Sequence, residues 1–407
     1  MSIQENTMKI LQYIGAIDLL DGAGGAKRVF CSMANALAAR GHEVYAVCHT
    51  ARSGYPFVPL DDRIHFISNG LGCRKRIIKL TTWVKGIRPF FPSTWNEMIK
   101  QHEENRIFKR KGEPLIKLIR EIQPDIVIPY FVNDYFSMLR QPMLNVPVIL
   151  MHHMNAAEFL NFVNTKEKTA KINTCPHLQV LQRSFIPEIQ KIYHGSIHVI
   201  PNEVPQITEK ELADLTVEKP QKTIAMISRI DPGKQQHLLL QAFERLAKDY
   251  SEWNVEIYGQ SVHQYSRQLE SMLVSLGLTG RVKLMGATDH PLEVLRKVDV
   301  FAFPSLSEGF PLALTEAMAV GLPCVGLKTT PSVNELIVDG VNGFLADNTP
   351  EDFAAKLKAL MDDRNCRVKL GGSGHEMMKR YAPETIWNQW EQLIGQVVRQ
   401  HRQRKAA

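Results

Sequence analysis

Several absences narrow the reading of this 407-residue chain. It has no run of about 18 apolar residues, the length a spanning helix needs, so no membrane-crossing helix is expected. Its six cysteines, Cys31, Cys48, Cys73, Cys175, Cys324 and Cys366, include no close pair, which argues against a disulfide framework and against a zinc site. No Asn-x-Ser/Thr acceptor occurs. The opening MSIQENTMKILQYIG has neither the basic start nor the long apolar stretch of a secretory signal. A reduced, cytoplasmic setting is therefore expected. Asp-x-Asp is also missing, and with it the usual carboxylate signature for a metal-held diphosphate. GxGxxG and the acidic residue about 20 positions beyond it are missing too, which argues against an NAD-dependent dehydrogenase.

The charge that is present is unevenly placed. The net charge is +7, and residues 73–111 alone hold eleven Lys/Arg and three Glu, a local +8. Trp83, Phe90, Phe91 and Trp95 are interleaved with those cations. This mixture suits an anionic membrane surface, with a solvated helix face over core aromatics as the structural alternative; nucleic acid is not the expected partner.

Strand-like and helix-like segments alternate along the chain, as in parallel βαβ units. Strands are expected at 9–15, 43–48, 65–67, 125–130, 146–152, 178–181 and 197–201, with a helix over 26–40 stopped by Gly41. The polar, proline-bearing stretch 201–222 reads as a linker. A second series follows, with strands at 223–228, 254–258, 282–285, 299–303 and 323–326. Helices are expected at 236–250, 262–277, 291–298, 312–320, 351–361 and 383–399. The fold class is α/β, with two Rossmann-like domains and a ligand cleft between them. Residues 1–202 form the first domain, 203–382 the second, and 383–407 a closing helix that crosses back to the first.

Ser307-Glu308-Gly309-Phe310-Pro311-Leu312-Ala313-Leu314-Thr315-Glu316 is the most informative stretch. Pro311 suits the first turn of a helix, because its missing N–H would be unpaired there. The helix start offers free N–H groups and partial positive charge to a phosphate. Glu308 and Glu316, eight positions apart, flank that start, and ionised carboxylates accept hydrogen bonds from hydroxyls. A ligand with hydroxyls at both ends and phosphate in the middle, such as a nucleotide sugar, matches this pattern. Arg229 and Lys234 lie on one loop after a strand and could neutralise a diphosphate.

Together with Ser228-Arg229-Ile230-Asp231-Pro232-Gly233-Lys234, the two-glutamate stretch resembles glycosyltransferase family 4, whose members are retaining enzymes of the two-domain GT-B fold. The early Gly24-Gly25-Ala26 loop, the His after a strand near residue 150, Val199-Ile200-Pro201-Asn202 and the closing Tyr381-Ala382-Pro383-Glu384 with Trp387 and Trp390 extend the likeness over most of the chain. The resemblance implies that Glu308 accepts from donor-sugar hydroxyls and Glu316 from the ribose. It gives Arg229 and Lys234 the departing diphosphate, and backbone N–H groups near Gly309, Phe310 and Leu312 the sugar or phosphate oxygens. It places Gly25 by the diphosphate and a histidine by the transferred sugar. His153 is chosen over His152 by register with Asn155. Asn202 and Gly259 are nucleotide-side candidates that could equally be turn residues. Two positions depart from the commonest family pattern: Lys27, where the family often has Glu, and Pro311, where many members have Gly.

The reaction that the resemblance implies is metal-independent, front-face transfer, with no cofactor beyond the co-substrate. A hexose or N-acetylhexosamine would pass from a UDP-sugar to a glycan or lipid-linked acceptor of a surface polysaccharide, such as lipopolysaccharide or capsule, at the inner face of the cell membrane. A UDP-sugar epimerase of the same fold and a non-catalytic nucleotide-sugar-binding relative are the alternatives.

Overall fold

In this computed structural model the described residues are 7–15, 19, 24–49, 56, 58–68, 102, 108–139, 145–261 and 263–406. Most of the basic segment 73–111, including Trp83, Phe90, Phe91 and Trp95, lies outside them. The chain forms two compact units that interleave in sequence. Met1–Val180, Glu188–Val199 and Trp387–Ala407 make the first; Leu181–Pro187 and Ile200–Ile386 make the second.

The first unit is built on parallel strands β1 (Lys9–Ile14), β2 (Glu43–Cys48), β3 (His65–Ser68), β4 (Ile126–Pro129), β5 (Ile149–His152), β6 (His177–Val180) and β7 (Ser196–Val199). The order is β3-β2-β1-β4, continued through a parallel bridge between Val127 and Val148 into β5-β6-β7. Interior strands such as β4 and β5 are buried along their whole length, while β3 and β7 begin exposed. That contrast is why the central strands read as unbroken apolar runs rather than alternating ones. Helices α1 (Gly25–Ala39), α2 (Glu113–Ile122), α3 (Val132–Met138), α4 (Ala156–Phe162) and α5 (Lys166–Ile172) pack between them. Helix α1 buries Val29, Phe30, Met33, Ala34 and Leu37 on one side. It ends where Gly41 turns left-handed at φ 88, which glycine tolerates without a Cβ clash.

The second unit repeats the plan with β8 (Lys222–Ile227), β9 (Trp253–Tyr258), β10 (Val282–Gly286), β11 (Val300–Phe303), β12 (Cys324–Leu327) and β13 (Phe344–Ala346), all parallel, in the order β10-β9-β8-β11-β12-β13. Its helices include α6 (Gln236–Ala247), α7 (His263–Ser275), α8 (Pro291–Leu295), α9 (Leu312–Ala319), α10 (Pro350–Asp362) and α11 (Arg364–Met378). Leu239, Phe243, Trp253, Val255, Phe353 and Leu357 sit at the centre of its core. The chain runs outward from β8 to β10, then returns to the other side of β8 as β11. The sheet therefore has its topological switch point between β8 and β11, where open α/β sheets leave a crevice at the strand ends.

Two expectations need revision. The stretch 201–222 is no free linker. Val204 N donates to the Tyr381 carbonyl at 2.9 Å and Ala213 N to Val320 at 2.8 Å, and Val204, Ala213 and Leu215 are buried. Its few apolar side chains suffice to fasten it to the second unit. Pro311 is not inside the first turn of α9 but precedes it, at the N-cap with φ −78 and ψ 88. The last helix, α12 (Pro383–Ala406), buries Trp387, Trp390, Ile394 and Val397. Its Arg402 donates to Asp125 Oδ1 at 2.7 Å, within the first unit.

Candidate active site

Two loops meet at the switch point of the second unit. One leaves β8 and carries Arg229 to Lys234; the other leaves β11 and carries Pro304 to Pro311. Leu306 N donates to the Gly233 carbonyl at 3.0 Å and joins them. Asp231 caps the short turn over Pro232–Lys234 by accepting from Gly233 N at 3.0 Å. Arg229 extends outward, 75% exposed, with Nη2 at 3.2 Å from Asp231 Oδ2. Lys234 turns inward. Its Nζ lies 2.7 Å from Glu308 Oε1 and 3.4 Å from both Ser305 Oγ and the Ser307 carbonyl. Lys234 and Glu308 each keep 15% of their side-chain surface exposed, so solvent screens the pair less than an open surface pair.

Helix α9 begins beside this pair. Pro311 supplies no N–H and no side chain caps the helix, while its carbonyl accepts from Thr315 N at 3.0 Å. The first-turn N–H groups of Leu312, Ala313 and Leu314 have no acceptor within the helix, and the aligned peptide dipoles leave about half a positive charge there. Glu316, one turn in, is buried at 3% exposure. The Phe310 ring is buried edge-on to Tyr381, with centroids 5.6 Å apart, so its side chain is packing. The structure thus brings Arg229, Lys234, Glu308, Gly309, Phe310, Leu312 and Glu316 onto two joined loops and one helix. Asn202 is buried in the same unit.

Gly259, at the end of β9, has a structural reason to be glycine. Its N–H donates to the Gly286 carbonyl at 2.8 Å, and a Cβ would fall on the Ser228 carbonyl oxygen. It shapes the loop that carries Arg229.

Gly25 and His153 belong to the first unit. Gly25 opens α1 and is exposed, and Gly24 caps the helix with an extended backbone, φ −124 and ψ 153. A Cβ on Gly24 would meet nothing nearer than the Lys27 side chain at 3.9 Å, so the fold itself does not demand glycine there. The two histidines after β5 differ. His152 is buried, with Nε2 at 3.0 Å from the Asn155 carbonyl. His153 stacks on Tyr130 at 4.9 Å, and its Nε2 is enclosed without a hydrogen-bond partner. Burial pushes the His152 imidazole down to about 4 and that of His153, with His152 beside it, to about 3. Both are neutral near pH 7.

Sequence reasoning passed over Gln235, Gln236, Ser305 and Asn348. Gln235 is left-handed at φ 53, a conformation that costs a residue with a Cβ about 1 kcal/mol, and it is buried. No periodicity or motif marks such a residue; only its partners do.

Comparison with known proteins identifies the family. A family profile described as Glycosyltransferase Family 4 matches residues 23–205, and one described as Glycosyl transferases group 1 matches residues 207–377. An uncharacterized glycosyltransferase of Haemophilus influenzae is 26% identical over 386 residues, covering 92% of this chain and 97% of that protein. The N-acetylgalactosamine-N,N'-diacetylbacillosaminyl-diphospho-undecaprenol 4-alpha-N-acetylgalactosaminyltransferase of Campylobacter jejuni is 30% identical over 294 residues, covering 64% of this chain and 76% of its own length. The crystal structure of a mutant of S. aureus TarM with fondaparinux, alpha-GlcNAc-glycerol and UDP matches with a TM-score of 0.73 at 16% identity, over 95% of this chain and 100% of that one. The chain belongs to glycosyltransferase family 4, with the two Rossmann-like domains of the GT-B fold.

Proposed function

We propose that this glycosyltransferase moves a hexose or N-acetylhexosamine from a UDP-sugar, with retention and without a metal, to a glycan or lipid-linked acceptor in surface-polysaccharide biosynthesis. The observation that carries the donor half is the Lys234–Glu308 contact of 2.7 Å at the switch point, beside the open start of α9. A carboxylate for sugar hydroxyls and an ammonium for phosphate are already side by side there. Donor binding replaces their mutual contact: the diphosphate takes Lys234 and Arg229, and the sugar hydroxyls donate to Glu308. Glu316 accepts from the ribose. N–H groups near Gly309, Phe310 and Leu312 meet phosphate or sugar oxygens, with Gly25 on the diphosphate and Asn202 and Gly259 on the nucleotide side.

In the proposed reaction the bond from the anomeric carbon to the phosphate oxygen breaks and UDP departs. Lys234 and Arg229 take up the charge that develops on it, as preorganised groups do best. The acceptor oxygen bonds to the anomeric carbon on the same face, and its proton passes to the departing phosphate. His153, neutral and with an unfilled Nε2, is assigned to the transferred sugar. The Campylobacter relative, named for a diphospho-undecaprenol acceptor, supports a lipid-linked acceptor, and the UDP held by the TarM neighbour supports UDP as the carrier. No helix among the described residues is long and apolar enough to cross a membrane. Contact with an anionic inner membrane face is assigned to residues 73–111 on their charge and aromatics; failure to pellet with anionic vesicles at low salt would remove that assignment.

The site is tested by donor turnover. Lys234→Ala and Glu308→Ala are each expected to lower UDP release from UDP-sugars by about a hundredfold or more, the scale of losing one charge-stabilising group. Turnover at the wild-type rate in either variant would refute the assignment.

A further inference from the structure

Gln235 stands between Lys234 and α6 in a left-handed conformation, φ 53 and ψ 42. A residue with a Cβ avoids this region, whereas glycine enters it freely. The side chain accounts for the choice. It is 5% exposed, and its amide donates from Nε2 to the Pro304 carbonyl and to Asn348 Oδ1, both at 3.0 Å. Pro304 opens the loop that carries Ser305, Ser307 and Glu308. The adjacent Gln236, fully buried, donates from Nε2 to the Arg229 carbonyl at 2.8 Å and to Ser228 Oγ at 3.0 Å. Two consecutive amides therefore brace the loop of the two cations, one at its Arg229 end and one at its Lys234 end.

We propose that Gln235 is a positioning residue for glycosyl transfer: its amide fixes the Lys234 backbone to the Glu308 loop and so holds the ammonium in register for the departing diphosphate. The inference rests on the donor-site reading of Lys234 and Glu308. Leu306 N already donates to the Gly233 carbonyl, so the loops stay adjacent without Gln235. What the amide adds is the register beyond Gly233. Glycine at 235 would satisfy the backbone better and would leave the Lys234 end untethered.

That contrast gives the test, made on the full chain. Gln235→Gly is expected to stay folded but to melt somewhat below the wild-type temperature, since relief of the left-handed backbone offsets only part of the loss of two buried hydrogen bonds. An acetylation footprint read by mass spectrometry should show Lys234 modified several-fold faster, with the other lysines unchanged. Turnover of UDP-sugar should fall about tenfold, in kcat more than in KM, the pattern of a misplaced group. Asn348→Ala, which removes one of the two amide partners, should change the same quantities less. Unchanged labelling of Lys234 in Gln235→Gly would overturn the inference. So would faster labelling of lysines throughout the second unit, which would mark Gln235 as merely structural. Labelling needs no donor, so a fully active Lys234→Ala would sink the donor-site reading alone and leave the tether to be judged by its own footprint.

Discussion

At the scale of single residues, neighbours of one type have different work. His152 spends its Nε2 on the Asn155 carbonyl and sets its ring edge-on to Phe159, with centroids 5.0 Å apart, so it holds the turn after β5. His153 keeps an enclosed, unpartnered Nε2. His152→Ala is expected to cost about 1–3 kcal/mol of stability, the range for stripping a buried hydrogen-bond partner. His153→Ala is expected to lower donor turnover at least about tenfold while the fold survives. Melting curves beside turnover rates separate the two, and an inactive His152→Ala beside an active His153→Ala would reverse the assignment. The sequence could not choose between them from chemistry, because both are histidines at a strand end; register with Asn155 was the sole guide.

At the scale of elements, the strands were the most legible feature. Parallel strands covered on both faces must be apolar throughout, and β4, β11 and β12 show up as such runs. Helix α11 was not foreseen. It carries Gly371, Gly372 and Gly374, residues that normally weaken a helix, and its signal is confined to Asp363, whose side chain caps it by accepting from Cys366 N at 3.0 Å. One of its glycines has a tertiary cause. A Cβ on Gly371 would fall on the Gly321 carbonyl oxygen, so α11 lies close against the turn after α9, whereas one on Gly374 would make only ordinary contacts, at 3.5 Å from the Asn342 carbonyl and 3.6 Å from Met318. Gly372 meets nothing within 4 Å. Gly371→Ala should therefore destabilise by about 2 kcal/mol or more, since backbone must move. Gly372→Ala, one position away, should stabilise by about 0.5–1 kcal/mol through helix propensity alone. Denaturant titration of the pair checks this; equal effects would refute the packing argument.

At the scale of the whole molecule, burial of titratable groups sets the response to acid. Burial pushes His49, His152 and His177 down to about 4 and His153 to about 3, with Lys111, His152, or His198 and Arg404 adding to it at His49, His153 and His177 respectively. In the unfolded chain these imidazoles take up protons near 6.5, so their contribution to stability is present above that value and is lost as pH falls toward 4. Asp134 acts in the opposite sense. Burial raises its carboxyl to about 7, so its contribution is present below the unfolded value near 3.9 and is lost as pH rises through 7. Four groups outweigh one, and the thermal midpoint should fall between pH 7 and pH 5. Asp134→Asn should steepen that fall, and a flat profile would show that these imidazoles are not buried as described. The sequence by itself determined the fold class, the family and the two-glutamate motif that carries the resemblance, because hydrophobic runs and loop chemistry are local properties of the chain. Tertiary structure alone decided which groups touch: the Lys234–Glu308 contact, the Gln235 tether, the close approach at Gly371, and the fastening of 201–222 to the second unit. Each joins residues distant in sequence or depends on packing around them, and no local pattern records such partners.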